Sequence, residues 1–251
     1  MDLKSRSNWT SKSIVYIKNA TITEYDLRSG GLSVIKQNGL LDRKYIDKLD
    51  AMEKPKRNIA IGKLQLRVKS LSKSMVEGFG EARQMFADQN GLTEADVLSV
   101  KKDAIFVINK KIAHTKVSEF LEFRPKNTYT SYMLIGTKEA YFSSMDNSIT
   151  IKGVSDAVRD KQSGFLFRDA ARFMRQSERI DRSLLYENLR KYRSDYLNRR
   201  LPIETYRNID TGMFATDEYE LDDVDEEYLE SIDIAYNYVY FVLPMIRALM
   251  D

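Results

Sequence analysis

Apolar and polar positions follow two periods along the chain, and the switches between them outline its elements. Ile14 to Lys18 (IVYIK) and Ile22 to Asp26 (ITEYD) have β-type character and are expected to pair with each other. A Ser/Gly turn at Ser29-Gly30-Gly31 follows, and Leu32 to Leu40 takes up the helical period, closing near Gly39. Asp42 to Met52 places Tyr45, Ile46 and Leu49 on one face of a second helix. Pro55 fits a helix start, and Ile59 to Gln89 reads as one or two long helices with a weak point at Gly78-Phe79-Gly80. Val97 to Val100 and Ala104 to Ile108 are β-rich runs joined by Lys101-Lys102-Asp103, a hairpin with Asp103 at or near its turn. After a short helical turn at Ser118 to Phe123, ended by Arg124-Pro125, strands are expected at Tyr129 to Ile135, Ala140 to Ser143 and Ser148 to Lys152. From Ser155 to Arg200 the period is helical, with Phe165, Phe167, Ala170, Phe173 and Met174 as an apolar stripe among arginines. Pro202 interrupts it, Thr211 to Glu227 reads as an acidic loop, and Tyr228 to Met250 as a closing helix with its aromatics in the core. Met1 to Ser13 is polar and expected to be loosely held.

This layout gives two aspartates a shared position. Asp26 ends one strand and Asp103 lies at the hairpin turn, so pairing of the hairpin beside Ile22 to Asp26 would put both carboxylates at one end of one sheet. Two carboxylates so placed can share two Mg²⁺ ions about 3.5–4 Å apart, an arrangement that clamps attacking and leaving oxygens in phosphoryl transfer.

Three stretches resemble family B DNA polymerases. EYDLRSGGLSVI resembles the first palm motif, roughly E-[FY]-D-[FY]-x-S-L-Y-P-S-I-I, with Asp26, Ser29, Ser33 and Ile35 in matching places. KKDAIFV resembles D-T-D-S-[IV]-F-V, with Asp103 at the second Asp, and KEAYFSSMDNSITIKGV resembles a K-K-x-Y…K-G segment through Lys138, Tyr141, Lys152 and Gly153. The resemblance implies an α+β fold of a minimal, phage-type kind: a small antiparallel palm sheet (1–40 and 92–154), a helical fingers insertion (41–91) and a helical C-terminal thumb (155–251) with an acidic end. It implies Asp26 and Asp103 as catalytic ligands of Mg²⁺ (or Mn²⁺). Nucleoside triphosphate would meet Ser29, Gly30, Gly31, Lys56, Arg57 and Lys63; nucleic acid would meet Lys101, Lys102, Lys138, Tyr141 and Lys152. Two departures matter. Lys101 stands where the motif has its first Asp, and Gly31 replaces the Tyr that excludes ribose hydroxyls, so weak discrimination between ribo- and deoxynucleotides is expected. No exonuclease domain is expected within these 251 residues.

Composition narrows the alternatives. The absence of Cys excludes disulfides, thiolate zinc sites and a Cys nucleophile, and a single His, His114, excludes His-rich metal sites. No span approaches the ~18 uninterrupted apolar residues of a membrane helix, so no membrane partner and a cytoplasmic location (the bacterial host cytoplasm if phage-encoded) are expected. The net charge of +3 conceals an asymmetry: Glu204 to Asp251 holds two basic and thirteen acidic residues, leaving 38 basic and 24 acidic ahead of it. A body of about +14 suits a phosphate backbone. The expected activity is template-dependent nucleotidyl transfer on a primer-template or single-stranded DNA, with nucleoside triphosphates as substrates and replisome subunits as further partners. The alternatives are an inactive, nucleic-acid-binding replication accessory, and an interaction protein whose acidic segment docks on a basic partner or covers its own basic groove.

Overall fold

A computed structural model describes residues 1–214 and 234–250 of the chain. They divide into two compact units: unit 1 is Met1–Lys12 with Thr21–Thr128, and unit 2 is Ser13–Ala20 with Tyr129–Asp251. The class is α+β, as expected, but the single sheet anticipated over 1–40 and 92–154 is two sheets, one in each unit.

In unit 1, β1 (Asn8–Thr10), β3 (Ile22–Leu27), β4 (Val97–Lys101), β5 (Ala104–Ile108) and β6 (Phe123–Tyr129) run in the order β1-β4-β5-β3-β6. Every residue of β5 is buried, which accounts for its unbroken Ala-Ile-Phe-Val-Ile sequence at the middle of the sheet. Four helices follow β3 in the chain: α1 (Gly30–Gln37), α2 (Arg43–Asp50), α3 (Lys54–Arg67) and α4 (Lys69–Gln89). Ala82, Phe86 and Ala87 of α4 share a core with Tyr25, Leu27, Val100, Ile105 and Val107 of the sheet. A smaller core joins Leu32, Ile35, Leu49, Ile61, Leu71 and Met75.

Gly78-Phe79-Gly80 is not a weak point. The helix runs through it, and the break falls at Val68, whose backbone is extended (φ −121, ψ 93). The two glycines instead permit close approach: a Cβ on Gly80 would lie 2.2 Å from the Lys4 carbonyl oxygen, and one on Gly78 would lie 2.4 Å from Val34 Cγ1. Met1 to Ser13 is correspondingly not loose. Leu3 is fully buried, β1 pairs antiparallel with β4 (Trp9↔Val100), and the buried Arg83 of α4 donates to the carbonyls of Leu3 (3.4 Å) and Arg6. Ser118 to Phe123 forms no helical turn; Val117 N–H donates to Leu121 O (2.9 Å) to close a loop, and β6 begins at Phe123. Pro125 is tolerated because β6 is an edge strand whose residues 124–128 are all exposed.

In unit 2, β2 (Tyr16–Ile17), β7 (Ser131–Ile135), β8 (Lys138–Ser143) and β9 (Ser148–Lys152) form an antiparallel sheet in that order. The Ile14 to Lys18 run therefore does not pair with the Asp26 strand: Tyr16 faces Met133 and Ile17 faces Tyr132, while both sides of β3 are taken by β5 and β6. Helices α5 (Asp156–Gln162), α6 (Leu166–Arg179) and α7 (Arg182–Leu197) follow, and Leu243–Met250 closes the chain as a helix. Ser155 caps α5 by accepting from Val158 N–H (3.3 Å), and Asp181 caps α7 by accepting from Ser183 N–H (2.8 Å). Four residues of the expected apolar stripe make the core contact, Phe167, Ala170, Phe173 and Met174 packing with Met133, Phe142 and Phe241, whereas Phe165 precedes the helix and is half-buried. Among the described closing aromatics, Phe241 is fully buried, Tyr236 and Tyr238 pack half-buried against the core, and Tyr240 is exposed. The acidic loop beyond Phe214 and the start of the closing helix before Ile234 lie outside the described residues.

Candidate functional site

The site is built where β3 ends beside the β4–β5 hairpin, within unit 1. The register sets Lys101 opposite Ala104 across a two-residue turn, and Asp26 opposite Ala104 on the other side. Leu27 N–H donates to Asp103 O (3.0 Å). Asp26 and Asp103 therefore occupy neighbouring positions at one end of one sheet, as the sequence led us to expect. The turn contains no glycine, and Lys102 takes the left-handed conformation (φ 48) at a cost of about 1–2 kcal/mol. It is held from both sides: Lys102 N–H donates to Ser7 O (2.8 Å), and Lys102 O accepts from Arg83.

Burial, and secondly the Asp26 charge, push the Asp103 carboxyl above its ordinary value of 3.8. The Asp103 side chain lies against the start of α1, where a Cβ on Gly30 would lie 2.8 Å from Asp103 Oδ2 and would force that carboxylate to shift. β6 brings two cations to this face. Arg124 Nη2 is 3.9 Å from Asp26 Oδ2, and Lys126 Nζ is 3.7 Å from Glu24 Oε1. Asn127 Nδ2 also donates to Glu24 Oε2 (2.7 Å). Arg83 is 1% exposed, and its Nε has no hydrogen-bond partner among the described residues. Burial lowers its guanidinium to about 10, with the Asp103 charge opposing that shift.

A cleft of about 880 Å³ opens here, lined by Asp26, Ser29, Gly30, Gly31, Arg83, Lys102 and Asp103, with Ile61, Met75 and Phe79 as its apolar part. Its size lies in the range of small-molecule sites. Helix α3 presents Lys54, Asn58, Ile61, Gly62 and Gln65 to it, the face that a 3.6-residue period dictates. Lys56 and Lys63 fall off that face and are exposed, Lys56 pairing with Glu53 (3.2 Å), so Lys54 and Asn58 take the places expected of them. Arg57 Nη2 reaches Ser29 Oγ (3.2 Å). Lys102 lines the cleft, whereas Lys101 Nζ is turned to Thr10 Oγ1 (3.2 Å).

The remaining expected nucleic-acid contacts belong to unit 2 and have internal partners. Lys138 is 3% exposed with Nζ 2.7 Å from Asp210 Oδ1, and Tyr141 is fully buried with its hydroxyl donating to Glu139 Oε2 (2.6 Å). Lys152 is half-buried in β9, opposite Glu139. The sequence marks Lys54 to Asn58 as a basic cluster but does not single out Lys54, Asn58, Arg83, Arg124 or Lys126 as site residues. The helical phase set by Ile61 carries a signal for the first two, and the i, i+2 spacing around Pro125 for Arg124 and Lys126. Arg83 has none, because its contacts are all distant in sequence.

The donor set suits a hard divalent cation. Two carboxylates repel each other unless a cation lies between them, and the Asp103 carboxyl is raised first by its burial and then by the Asp26 charge. Among the described residues no group of three or more His, Cys, Asp or Glu side chains is gathered for a metal. A closed protein cage is thus not what these residues make. Asp26 and Asp103 are the residues that could hold a cation such as Mg²⁺, which keeps several waters and binds through one or two carboxylates together with substrate phosphates.

None of the described helices is long and apolar enough to cross a membrane. No curated protein matches the chain. A family model described as "Bacteriophage PBS1 gene 130 protein" matches residues 1–251, its whole length. The chain with this two-aspartate cleft is therefore a phage-type protein, and it belongs to the bacteriophage PBS1 gene 130 protein family.

Proposed function

We propose that the protein is a template-dependent nucleotidyltransferase, of DNA polymerase or primase type, with its reaction centre at Asp26 and Asp103. The observation that carries this reading is the placement of those two carboxylates side by side on a cleft that also offers Lys54, Ser29, Gly30 and Lys102. In this reading the sheet of unit 1 is palm-like, α2 to α4 are fingers-like, and the helices from Asp156 onward are thumb-like.

Asp26 and Asp103 would hold the cation. Mg²⁺ or Mn²⁺ would there supply a lowered pKa for an attacking 3′-hydroxyl and charge neutralisation for the departing pyrophosphate. Lys54 and Lys102 add positive charge to the cleft, and the turn at Ser29 to Gly31 lets a polyphosphate approach the backbone at the start of α1. Arg57 steadies Ser29 through its 3.2 Å hydrogen bond. No side chain projects from Gly31, which supports use of ribo- as well as deoxynucleotides. The partners are nucleic acid, nucleoside triphosphates and replisome subunits, in the host cytoplasm.

The test is primer extension and de novo synthesis with both nucleotide types in Mg²⁺ and in Mn²⁺. The parent chain should incorporate label, and Asp26→Asn and Asp103→Asn should each lose at least about a hundredfold, the scale of removing one charge-stabilising group at a reaction centre. A second reading, a nucleic-acid-binding accessory without catalysis, is favoured by Lys101 at a motif aspartate position and by Arg124 lying 3.9 Å from Asp26. Nucleic-acid binding by the parent without incorporation in either metal would select it.

A further inference from the structure

Unit 2 carries a second charged feature that the carboxylate site does not use. Helix α6 bears Arg168, Arg172, Arg175 and Arg179, spaced i, i+4, i+7 and i+11. At 100° per residue these fall within an arc of about 60°. The opposite face, Leu166, Ala170, Phe173, Met174 and Ser177, is buried. Of the two acidic residues of the helix, Glu178 is drawn away from the arginine stripe, while Asp169 pairs with one member of it, Arg172. Glu178 accepts from Thr130 Oγ1 (3.2 Å) and from Ser131 Oγ, and Asp169 is 8% exposed and pairs with Arg172 at 3.2 Å. Arg172 is further fixed over the rings of Phe173 and Tyr192, at 4.6 and 5.6 Å. Arg168 and Arg179 form no ion pair among the described residues, and Arg175 meets Asn147 Oδ1 at 3.3 Å.

We propose that this face of α6 binds the phosphate backbone of double-stranded nucleic acid. Like charges on one helix line weaken the helix slightly, and Arg168, Arg175 and Arg179, none of which forms an ion pair among the described residues, are relieved of that repulsion when a polyanion covers them. A solvated helix face more often alternates its signs. The rise of 1.5 Å per residue spreads the guanidinium groups at intervals of about 4.5–6 Å along roughly 16 Å, a straight rigid row. Guanidinium forks match phosphate oxygens. A duplex, rather than a single strand, is the occupant that fits. Single-strand binders add aromatic platforms on which bases stack, whereas the aromatic residues of α6, Phe167 and Phe173, are both buried. Contacts of this kind position a duplex and read no sequence.

The inference goes beyond the nucleotidyltransferase reading and rests on none of the residues of the carboxylate cleft. Anisotropy of a labelled short duplex and of its single strand, measured with the full chain between 50 and 200 mM salt, provides the test. The parent should prefer the duplex. The Arg168→Gln/Arg175→Gln/Arg179→Gln variant should bind it at least tenfold more weakly at the lower salt. The slope of log affinity against log salt should fall by about 2.7, three contacts at about 0.9 each. The corresponding triple lysine variant, which keeps the charge, should retain most of the slope. Removing three exposed cations elsewhere, Arg43→Gln/Lys44→Gln/Lys48→Gln on α2, should change the slope by less than about one. An unchanged slope in the α6 glutamine variant, an equal fall in the α2 variant, or a parent that binds single strand as tightly as duplex would each overturn the proposal.

Discussion

Asp103 is kept in its place against its own charge. Its folded-state pKa is raised, first by burial and then by Asp26, so the folded chain holds that proton more tightly than the unfolded chain does. Below the ordinary value of 3.8 the carboxyl is neutral in both states and imposes no penalty. The penalty grows as pH rises from 3.8 through the raised value, and is complete above it. Asp103→Asn, which removes the charge, should therefore raise the melting temperature at pH 7 by a few degrees, and that gain should shrink to nothing as the pH is lowered toward 3.8. Mg²⁺ should raise the melting temperature of the parent, because it binds the folded carboxylate pair, and should do so far less in Asp103→Asn. Thermal melts across a pH series, with and without Mg²⁺, check both statements. A parent unaffected by millimolar Mg²⁺ would count against the cation reading of this pair.

At the scale of elements, α4 is the part that ties the site to the N-terminal segment. Arg83 spends its guanidinium on the carbonyls of Leu3, Arg6 and Lys102, and so joins β1 to the turn that carries Asp103. Arg83→Met keeps most of the side-chain volume but leaves those carbonyls without their charged donor, a loss of about 2–4 kcal/mol on the scale of charged hydrogen bonds. Hydrogen exchange should show faster exchange at residues 3–10 and 99–103, with α6 and α7 unchanged. This tie also marks the limit of what the sequence reveals. The β-rich runs of β3, β4 and β5 are legible because each is short, apolar and bounded by polar turn residues, and their pairing puts Asp26 beside Asp103. The anchoring of Leu3 is not legible, since the arginine that secures it lies eighty positions away. Ile14 to Lys18 is recognisable as a strand, yet its partner at Tyr132 and Met133 is equally remote, and local pattern favoured the wrong neighbour. Gly78 and Gly80 show the same limit in another form, because a glycine that admits Lys4 or Val34 has no local mark to distinguish it from one that interrupts a helix. Lys54 and Asn58 differ: the phase fixed by Ile61 already assigns them to the cleft-facing side of α3.

At the scale of the molecule, the two units carry separate cores, one gathered around Phe86, Val107 and Phe123 and the other around Phe142, Phe173 and Phe241. The chain supplies a convenient reporter for the first. Its single tryptophan, Trp9, lies in β1 of unit 1, packs against the core that holds Phe86, and has the Arg6 guanidinium 4.2 Å from its ring centre. Phe173→Ala removes a buried ring that meets Tyr192 at 5.1 Å in unit 2, and such truncations cost about 3–5 kcal/mol. If each core melts on its own, Phe173→Ala should lower the transition seen by tyrosine emission or by far-ultraviolet circular dichroism, where the long helices α6 and α7 contribute. It should leave the Trp9 emission transition within about a degree of the parent. Mg²⁺ and Asp103→Asn should do the reverse, moving the Trp9 transition alone, because the carboxylate pair and Trp9 share one sheet. Coincident transitions that shift together in all three cases would mean that the chain unfolds as one cooperative body, and the assignment of separate stabilities to the two cores would then have to be given up.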